Sequence, residues 1–323
     1  MFFFDAHCDI LSAIEKPEEL FSNAHHWDAR RALKNGPFIQ VFTSFAGSKF
    51  RDNPKAHMEA QLQKALMAEK AYPERLKLLR SASDLEEFTT RHKLENRQTD
   101  SRDSRVYGFL EAEGAEILGG SLSELDRLYG LGLRILTLVW NFDNEVCDSV
   151  AGQNRHHGLS PFGKQVLEKA QKLGILIDVS HGSDKTLEDV LELTQKPITA
   201  SHSNARALCA HRRNLTDSQI KAIARMGGVI GINFYPSFLR NSGNAQFMDI
   251  IEHIDYMAAL VGTSSIGFGS DFDGFDDLPE GMKGVEDLSR IIEVLLKLNY
   301  SEEAVKAIAG GNFSRLMGLI LQT

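Results

Sequence analysis

Short apolar segments alternate with longer amphipathic segments along the whole chain. Polar or glycine residues bound each apolar segment, and such a pattern is typical of buried strands in a parallel sheet. The segments that we predict as strands are 2–4, 37–42, 105–110, 133–138, 174–179, 197–200, 228–233 and 266–269. The stretches between them carry the helical spacing of apolar residues, so the pattern predicts a strand–helix alternation from end to end.

Helical spacing and start signals define the second set of elements. The predicted helices are 54–80, 121–129, 162–173, 184–194, one that begins near Thr216, 248–261, 286–297, 302–309 and 312–321. Ser121 with Glu124, and Thr216 with Gln219, have the spacing of a capping box, which predicts a helix start at each pair.

Eight strands that alternate with helices are the number that closes a parallel α/β barrel, so we predict a (β/α)8 (TIM) barrel. An open doubly wound sheet is the alternative, but no G-x-G-x-x-G follows an early strand to support it. No linker or internal repeat divides the chain. We therefore predict one catalytic domain over 1–323, with long loops at about 12–35, 91–105 and 140–160.

Composition narrows the class of protein. The 323 residues carry a net charge of -8 and no long basic run, which argues against a nucleic-acid partner. No apolar run approaches the ~20 residues of a membrane span, and the N-terminal Phe2–Phe4 run is too short for a signal peptide. Three cysteines imply no disulfide framework. We expect a cytoplasmic protein without a membrane partner.

Side chains of metal-ligand type follow the apolar strands at their carboxyl ends. They are His7 and Asp9 after the first strand, Glu113 after the third, His181 after the fifth, His202 after the sixth and Asp271 after the eighth. An isolated H-x-D is more often a core histidine beside a capping aspartate. In a closed barrel, however, these strand ends meet at one rim, where active sites of this fold lie. Five ligands from four of these strands, with one carboxylate shared between the ions, suit two metal ions.

Most of the remaining histidines are interpreted as surface residues. His156 and His157 differ because they lie in the long loop 140–160, and they are second candidates for proton transfer.

Longer motifs surround these ligands. They are DAHCD at 5–9, EG at 113–114, GLSPFG at 158–163, IDVSH at 177–181, SHS at 201–203, RRN at 212–214, NFY at 233–235 and GFGSDFDG at 267–274. With them the chain resembles the membrane dipeptidase (renal dipeptidase) family of zinc peptidases over nearly its whole length. The fold that this resemblance implies is a distorted (β/α)8 barrel of the metal-dependent hydrolase type.

The resemblance also implies roles for single residues. His7 and Asp9 would bind one Zn²⁺, His181 and His202 a second, and Glu113 would bridge the two. Asp271 would act as general acid and base.

The resemblance assigns the substrate's terminal carboxylate to Arg213, whose planar guanidinium matches a carboxylate. The chain departs from the family at two substrate contacts. Trp140 and Asn141 stand where the family commonly has a histidine, and Phe238 stands for a family tyrosine. These three residues are predicted to contact substrate, and the departures leave specificity more open than reaction type. We expect a soluble bacterial-type member, without the secretion signal and the lipid-anchor tail of the family's membrane-anchored members.

The predicted function is hydrolysis of a dipeptide by a hydroxide that bridges two zinc ions, and the family implies tolerance of a D-residue at the C-terminal position. A metal-dependent hydrolase of another amide, lactam or ester stays open, because fold alone does not fix function. A non-catalytic metal-binding barrel is the third hypothesis. A homodimer is the one assembly that we keep open.

Overall fold

The computed structural model describes residues 1–94 and 105–322. Within these ranges the strands are β1 (Phe3–Asp5), β2 (Phe38–Phe45), β3 (Leu76–Leu78), β4 (Val106–Glu113), β5 (Leu133–Thr137), β6 (Leu176–Asp178), β7 (Thr199–Ala200), β8 (Val229–Ile232) and β9 (Ile266–Phe268). The helices are α1 (Ile10–Ala13), α2 (Ala29–Ala32), α3 (Pro54–Ala71), α4 (Ala82–Leu94), α5 (Ser123–Leu131), α6 (Pro161–Leu173), α7 (Asp184–Leu193), α8 (Asp217–Arg225), α9 (Pro236–Leu239), α10 (Phe247–Val261), α11 (Leu288–Lys297), α12 (Glu302–Lys306) and α13 (Asn312–Leu321).

Parallel pairing closes eight of these strands into a barrel. The order around it is β1, β2, β4, β5, β6, β7, β8, β9 and back to β1. The predicted (β/α)8 barrel is therefore confirmed, and the open sheet is excluded because each of these eight strands pairs on both sides, so the ring has no edge strand. Strand β3 stands outside this ring and pairs with the start of β4, on the edge that β5 occupies further along.

The predicted helix 54–80 is wrong in its last third. Helix α3 ends at Ala71, and the chain turns at Tyr72 and enters β3. The cause is Pro73, which disfavours helical backbone at the residue before it. Beyond the proline, Leu76 and Leu78 are buried at a spacing of two, which is a strand period.

Two other predictions need correction. Helices 302–309 and 312–321 are joined, since a π-helical turn, Ala307–Gly311, connects α12 to α13. The loop predicted at 91–105 begins later, because α4 extends to Leu94; its residues 95–104 lie outside the described residues.

The two predicted capping boxes have different outcomes. Thr216 accepts a hydrogen bond from the backbone N–H of Gln219, whose side chain returns to the Thr216 N–H, so this box is confirmed. The box at Ser121 does not form. The Glu124 carboxylate instead binds Lys55 and Arg127, each at 2.8 Å.

Side chains fill the barrel itself. Along the strands, Phe4 and Val41 belong to an inner apolar cluster, whereas their neighbours Phe3 and Phe42 pack with the surrounding helices. The ring of Phe4 stacks on Phe109 and on Phe313 of α13, so the C-terminal helix closes one end of this core. The other end, where the strands finish, carries the polar residues.

Two glycines narrow the barrel where β7, β8 and β9 meet. Gly231 of β8 and Gly269 after β9 both face the backbone carbonyl of Ser201, and a Cβ at either position would overlap that oxygen. The strand end that precedes His202 therefore packs against the backbone of these two glycines.

Along the described chain, no helix is both long enough and apolar enough to cross a membrane.

Candidate metal centre and active site

A cavity of about 500 Å³ opens at the carboxyl ends of the strands. Its walls are aromatic and its floor is charged. The aromatic residues that line it are Phe45, Trp140, Tyr235, Phe238 and Phe275. The floor contains Asp9, Glu113, His181 and Asp271, and the rim carries Asp276 and Asp277. All predicted metal ligands lie at or beneath this floor.

Glu113 stands at the centre of the cluster because it is the last residue of β4. Its Oε1 atom is 3.0 Å from Nε2 of His181, 3.3 Å from Nε2 of His202 and 3.8 Å from Nε2 of His7. The two Nε2 atoms of His181 and His202 are 3.0 Å apart. One carboxylate oxygen therefore faces ring nitrogens from three different strand ends.

Asp9 and Asp271 approach the same cluster from the His7 side. Nε2 of His7 is 3.6 Å from Oδ2 of Asp9 and 4.0 Å from Oδ1 of Asp271. His7 and Asp9 follow the end of β1, yet both point to one side, as their spacing of two predicts. The structure thus brings together all six residues that the sequence proposes as ligands or general base.

The far nitrogen of each histidine is held by an oxygen atom. Nδ1 of His7 is 3.0 Å from Oε2 of Glu111, and Nδ1 of His181 is 2.9 Å from Oδ1 of Asn141. Both oxygens are acceptors, so each Nδ1 carries the proton and donates. Nδ1 of His202 lies 2.8 Å from Ser201 Oγ, whose own proton goes to Asp178 at 2.6 Å. A neutral imidazole with its proton on Nδ1 has a free lone pair on Nε2, and this is the form that binds a metal.

Burial and like charges shift the acids of this cluster. Burial raises the pKa of Glu113 well above its usual range, and the nearby Asp9 and Asp271 carboxylates add to the rise. Burial, with Asp9 again contributing, raises the pKa of Asp271 to about 7. Burial and the positive charges of Arg213 and His7 lower the pKa of His181 and of His202. The pKa of His7 moves the other way: although burial opposes it, the carboxylates of Glu111, Glu113 and Asp9 raise it well above its usual value. Neutral His181 and His202 beside crowded carboxylates belong to a donor set that favours a cation.

Three further observations fit a metal at this position. Nε2 of His7 and Oδ1 of Asp9 are buried without a hydrogen-bond partner. Ligand atoms of His7, Glu113 and His202 lie within 4.8 Å of one another, as do those of His7, Asp9 and Asp271. A Cβ at Gly274 would overlap the carboxylates of Asp9 and Asp271, so glycine leaves room between them. Imidazole and carboxylate are ligands that zinc accepts, and the residues therefore fit the group.

His181 and Asp271 both have left-handed backbones, with φ of 65° and 62°. Each lies three residues beyond the end of its strand. Few residues other than glycine adopt this conformation, and those that do are concentrated at functional sites. The Asp271 side chain is held in place by Asn233, whose amide donates to Oδ2 at 2.9 Å.

Arg213 lies behind the cavity wall. Its side chain is buried, Nη2 donates to the backbone oxygen of His202 at 3.3 Å, and Nε has no hydrogen-bond partner. Its guanidinium carbon is 5.3 Å from the centre of the Phe238 ring, which does line the cavity. A buried arginine with an unused donor next to the cavity is suited to an anionic group of a ligand.

Trp140 and Asn141 also line the cavity, but they face different partners. Trp140 packs beside Phe45, with ring centres 5.5 Å apart. The side-chain oxygen of Asn141 accepts a hydrogen bond from Nδ1 of His181. The sequence predicted that Asn141 contacts substrate, and it did not predict this contact with a ligand. His156 donates from Nε2 to the backbone oxygen of Asn144, and neither it nor His157 is among the lining residues.

Sequence reasoning missed the residues that support the histidines. They are Glu111, Thr43, Thr137, Asp178 and Ser201 around the ligands, and Asn233 beside Asp271. For Glu111 a signal was present, because it precedes Glu113 by two in the same strand and so shares its face. Asp178 and Ser201 stand inside motifs, but no pattern indicated their contacts.

Known relatives match part of this chain in sequence. A dipeptidase of Aspergillus oryzae, aclJ, is 34% identical over 217 residues, which are 66% of this chain and 51% of that protein. The chain spans about half the length of the curated relatives it matches.

Solved structures match along almost the entire chain. A metallopeptidase from Rhodobacter sphaeroides, liganded with a phosphinate mimic of the dipeptide L-Ala-D-Ala, is 26% identical with a TM-score of 0.87, covering 99% of both chains. A metallopeptidase described as dipeptidase AC is 27% identical with a TM-score of 0.86, covering 100% of this chain and 99% of its own. The family model of the membrane dipeptidases matches residues 1–323. The chain therefore belongs to the membrane dipeptidase family, peptidase family M19.

Proposed function

We propose that the protein is a dinuclear zinc dipeptidase that hydrolyses the peptide bond of free dipeptides. The observation that carries the proposal is the convergence of three histidine Nε2 atoms on Glu113, with Asp9 and Asp271 beside them. His7 and Asp9 would hold one Zn²⁺, His181 and His202 the other, and Glu113 would bridge them. Bound zinc ions supply an activated water and polarise the scissile carbonyl.

Asp271 moves the proton in this proposal. Its carboxylate is at the cavity floor, and the Asn233 amide fixes one oxygen so that the other faces His7 and the ligand cluster. It would accept the proton of the attacking water and deliver it to the nitrogen of the leaving amine. A carboxylate in reach of the reacting water is one of the side chains that can take and release a proton in such a step.

The walls of the cavity determine which substrates fit. Arg213 would bind the terminal carboxylate, since its Nε is unused and it lies beside Phe238. Trp140 and Phe45 would pack on the substrate and exclude water from the reacting groups. The mimic of L-Ala-D-Ala bound to the Rhodobacter metallopeptidase supports a dipeptide and a D-residue at its C-terminal position. The cytoplasmic location and the homodimer stay predictions.

One experiment tests the core of this proposal. The purified protein is incubated with Zn²⁺, its metal content is measured, and its turnover is measured on L,L and L,D dipeptides, on tripeptides and on dipeptide amides. We expect two metals per chain and cleavage that is selective for free dipeptides. In Glu113→Gln, both metals should bind more weakly, because a neutral amide replaces the shared carboxylate. Wild-type protein that binds no zinc contradicts the metal centre; equal cleavage of amides and tripeptides would assign the protein to a broader class of hydrolases.

A further inference from the structure

A layer of buried polar side chains lies directly beneath the candidate ligands. We call it the polar belt, and it consists of Thr43, Glu111, Thr137, Asp178 and Ser201. All five are at most 1% exposed. Each lies on a barrel strand or directly after one, and none of them faces the cavity. Polar groups at this depth are costly unless they are bonded, so the belt calls for an explanation.

One half of the belt holds His7. The Glu111 carboxylate accepts from Nδ1 of His7 at 3.0 Å, and the same oxygen accepts from the Thr43 hydroxyl at 2.6 Å. Thr43 therefore fixes the carboxylate that fixes the ring. A carboxylate at this position sets the tautomer of a ligating histidine and increases its basicity.

The other half holds His202. Its Nδ1 donates to the Ser201 hydroxyl, which donates to Oδ2 of Asp178. The second oxygen of Asp178 accepts from the backbone N–H groups of Ser180 and Ser201, at 3.0 and 2.8 Å. Asp178 is thus immobilised by the two strand ends that carry His181 and His202.

Thr137 is the residue where the two halves meet. Its hydroxyl oxygen is 2.8 Å from Oε1 of Glu111 and 2.7 Å from Oδ2 of Asp178. A hydroxyl has one proton to donate, so the second contact is favourable only when the carboxyl on that side brings a proton itself. Thr137 therefore separates and bridges two acids that would otherwise repel each other.

We propose that Thr137 is a positioning residue for both halves of the metal centre, an inference that rests on the proposed function. It touches no candidate ligand in the hydrogen-bond network. It acts through Glu111 on His7 and through Asp178 and Ser201 on His202. Loss of its hydroxyl would remove one hydrogen bond from each carboxylate at once, and both histidines would be held less firmly.

The test is zinc affinity, measured by competition with a chelator on metal-free protein. Thr137→Val keeps the shape of the side chain and removes the hydroxyl. We expect it to weaken both binding steps by about 10- to 100-fold, the usual effect of removing an outer partner of a metal ligand. Thr43→Val touches only the Glu111 half and Ser201→Ala only the Asp178 half. Each of these two variants should weaken mainly one of the two zinc-binding steps. They show how much affinity is lost when only one half of the belt is affected, and Thr137→Val is compared with that loss.

Two controls separate positioning from simple loss of stability. Thr137→Ser keeps the hydroxyl and should restore both affinities. Thr199→Val removes an equally buried hydroxyl that donates to the backbone oxygen of Val229 and lies outside the belt, so it should leave both affinities unchanged. If Thr137→Val binds two zinc ions with wild-type affinity, or loses only one of them, the inference is wrong. If wild-type protein itself binds no zinc, the proposed function fails first, and the two failures are distinguishable.

Discussion

Two of the candidate site residues, His181 and Asp271, act from left-handed backbone positions. Such positions cost on the order of 1–3 kcal/mol each, so the surrounding contacts must hold them in place. Asparagine tolerates this conformation better than most residues. An asparagine at 271 therefore removes the charge without a new demand on the backbone, which makes it a clean chemical test.

Asp271→Asn should lower kcat by about 10²–10⁴-fold while both metals stay bound, because an amide cannot collect and return a proton. Turnover and metal content are measured on the same sample. Asp276→Asn is the matched control, since it makes the same change at the rim of the same cavity. Loss of metal together with activity in Asp271→Asn would make Asp271 a ligand, and full activity would place the base elsewhere.

Arg213→Met should lower kcat/KM on free dipeptides by about 10- to 200-fold, which corresponds to a lost bidentate contact with a carboxylate. The loss on dipeptide amides should be much smaller, because they lack that group. Arg212→Met is the control, since its neighbouring side chain is exposed. An equal loss on both substrates would show that Arg213 supports the structure and does not recognise the carboxylate.

At the scale of single residues, the sequence predicts the side chains at the cavity better than it predicts the buried side chains that support them. His7 and Asp9 follow from the period of a strand, and Glu111 could have followed from the same rule. Thr137 could not, because a threonine at the end of a strand is common and its partners come from other strands. The contact of Asn141 with His181 depends likewise on how the loop after β5 folds.

At the scale of elements, helix starts show what a local motif can decide. Thr216 and Ser121 both have the spacing of a capping box, yet only Thr216 forms one. Near Ser121, Lys55 and Arg127 compete for the Glu124 carboxylate. The pairing with Arg127 has a helical i, i+3 spacing, whereas Lys55 lies in α3, and short-range spacing cannot reveal that contact. Pro73 is the opposite case, because this single residue can be read from the sequence and is sufficient to end α3.

This difference predicts unequal costs for one kind of substitution. Thr216→Ala should lower the free energy of unfolding by about 0.5–2 kcal/mol, since α8 loses a formed cap. Ser121→Ala should change it by less than about 0.5 kcal/mol, as expected for a surface position. The check is the midpoint of urea unfolding at an unchanged slope, with zinc-loaded protein in both cases. Equal shifts in the two variants would contradict the assignment of the caps.

At the scale of the whole molecule, eight apolar strands were enough to predict the barrel. Their count and their alternation with helices are properties of the sequence, and parallel strands with such connections have few ways to close. The sequence did not predict that β2 would pair directly with β4 and leave β3 outside. That choice depends on the length of β4, which offers one edge to both β3 and β5.

The ligand cluster links metal binding to the stability of the entire barrel, because its side chains come from four strand ends. Zinc that binds only the folded protein stabilises it by about 2.7 kcal/mol at 100 times its Kd. Removal of metal by a chelator should therefore lower Tm by several degrees, and added zinc should restore it. Glu113→Gln should respond less to zinc in the same melting experiment. A Tm that is the same with and without zinc would contradict a metal centre shared by these strands.

The narrowing at Gly231 and Gly269 has a consequence for how the sequence can vary. Neither residue has a side chain, yet each is in contact with the carbonyl of Ser201, one residue before His202. Even alanine would displace that strand end and, with it, the His202 ring. In a saturation mutagenesis library selected for activity, these two positions should accept almost no replacement. Gly130 and Gly318 should accept more, because a Cβ at either meets nothing within 4 Å and neither has a positive φ. Selection against substitution would then be strongest at two positions that have no side chain, because what must be kept there is the space beside the backbone.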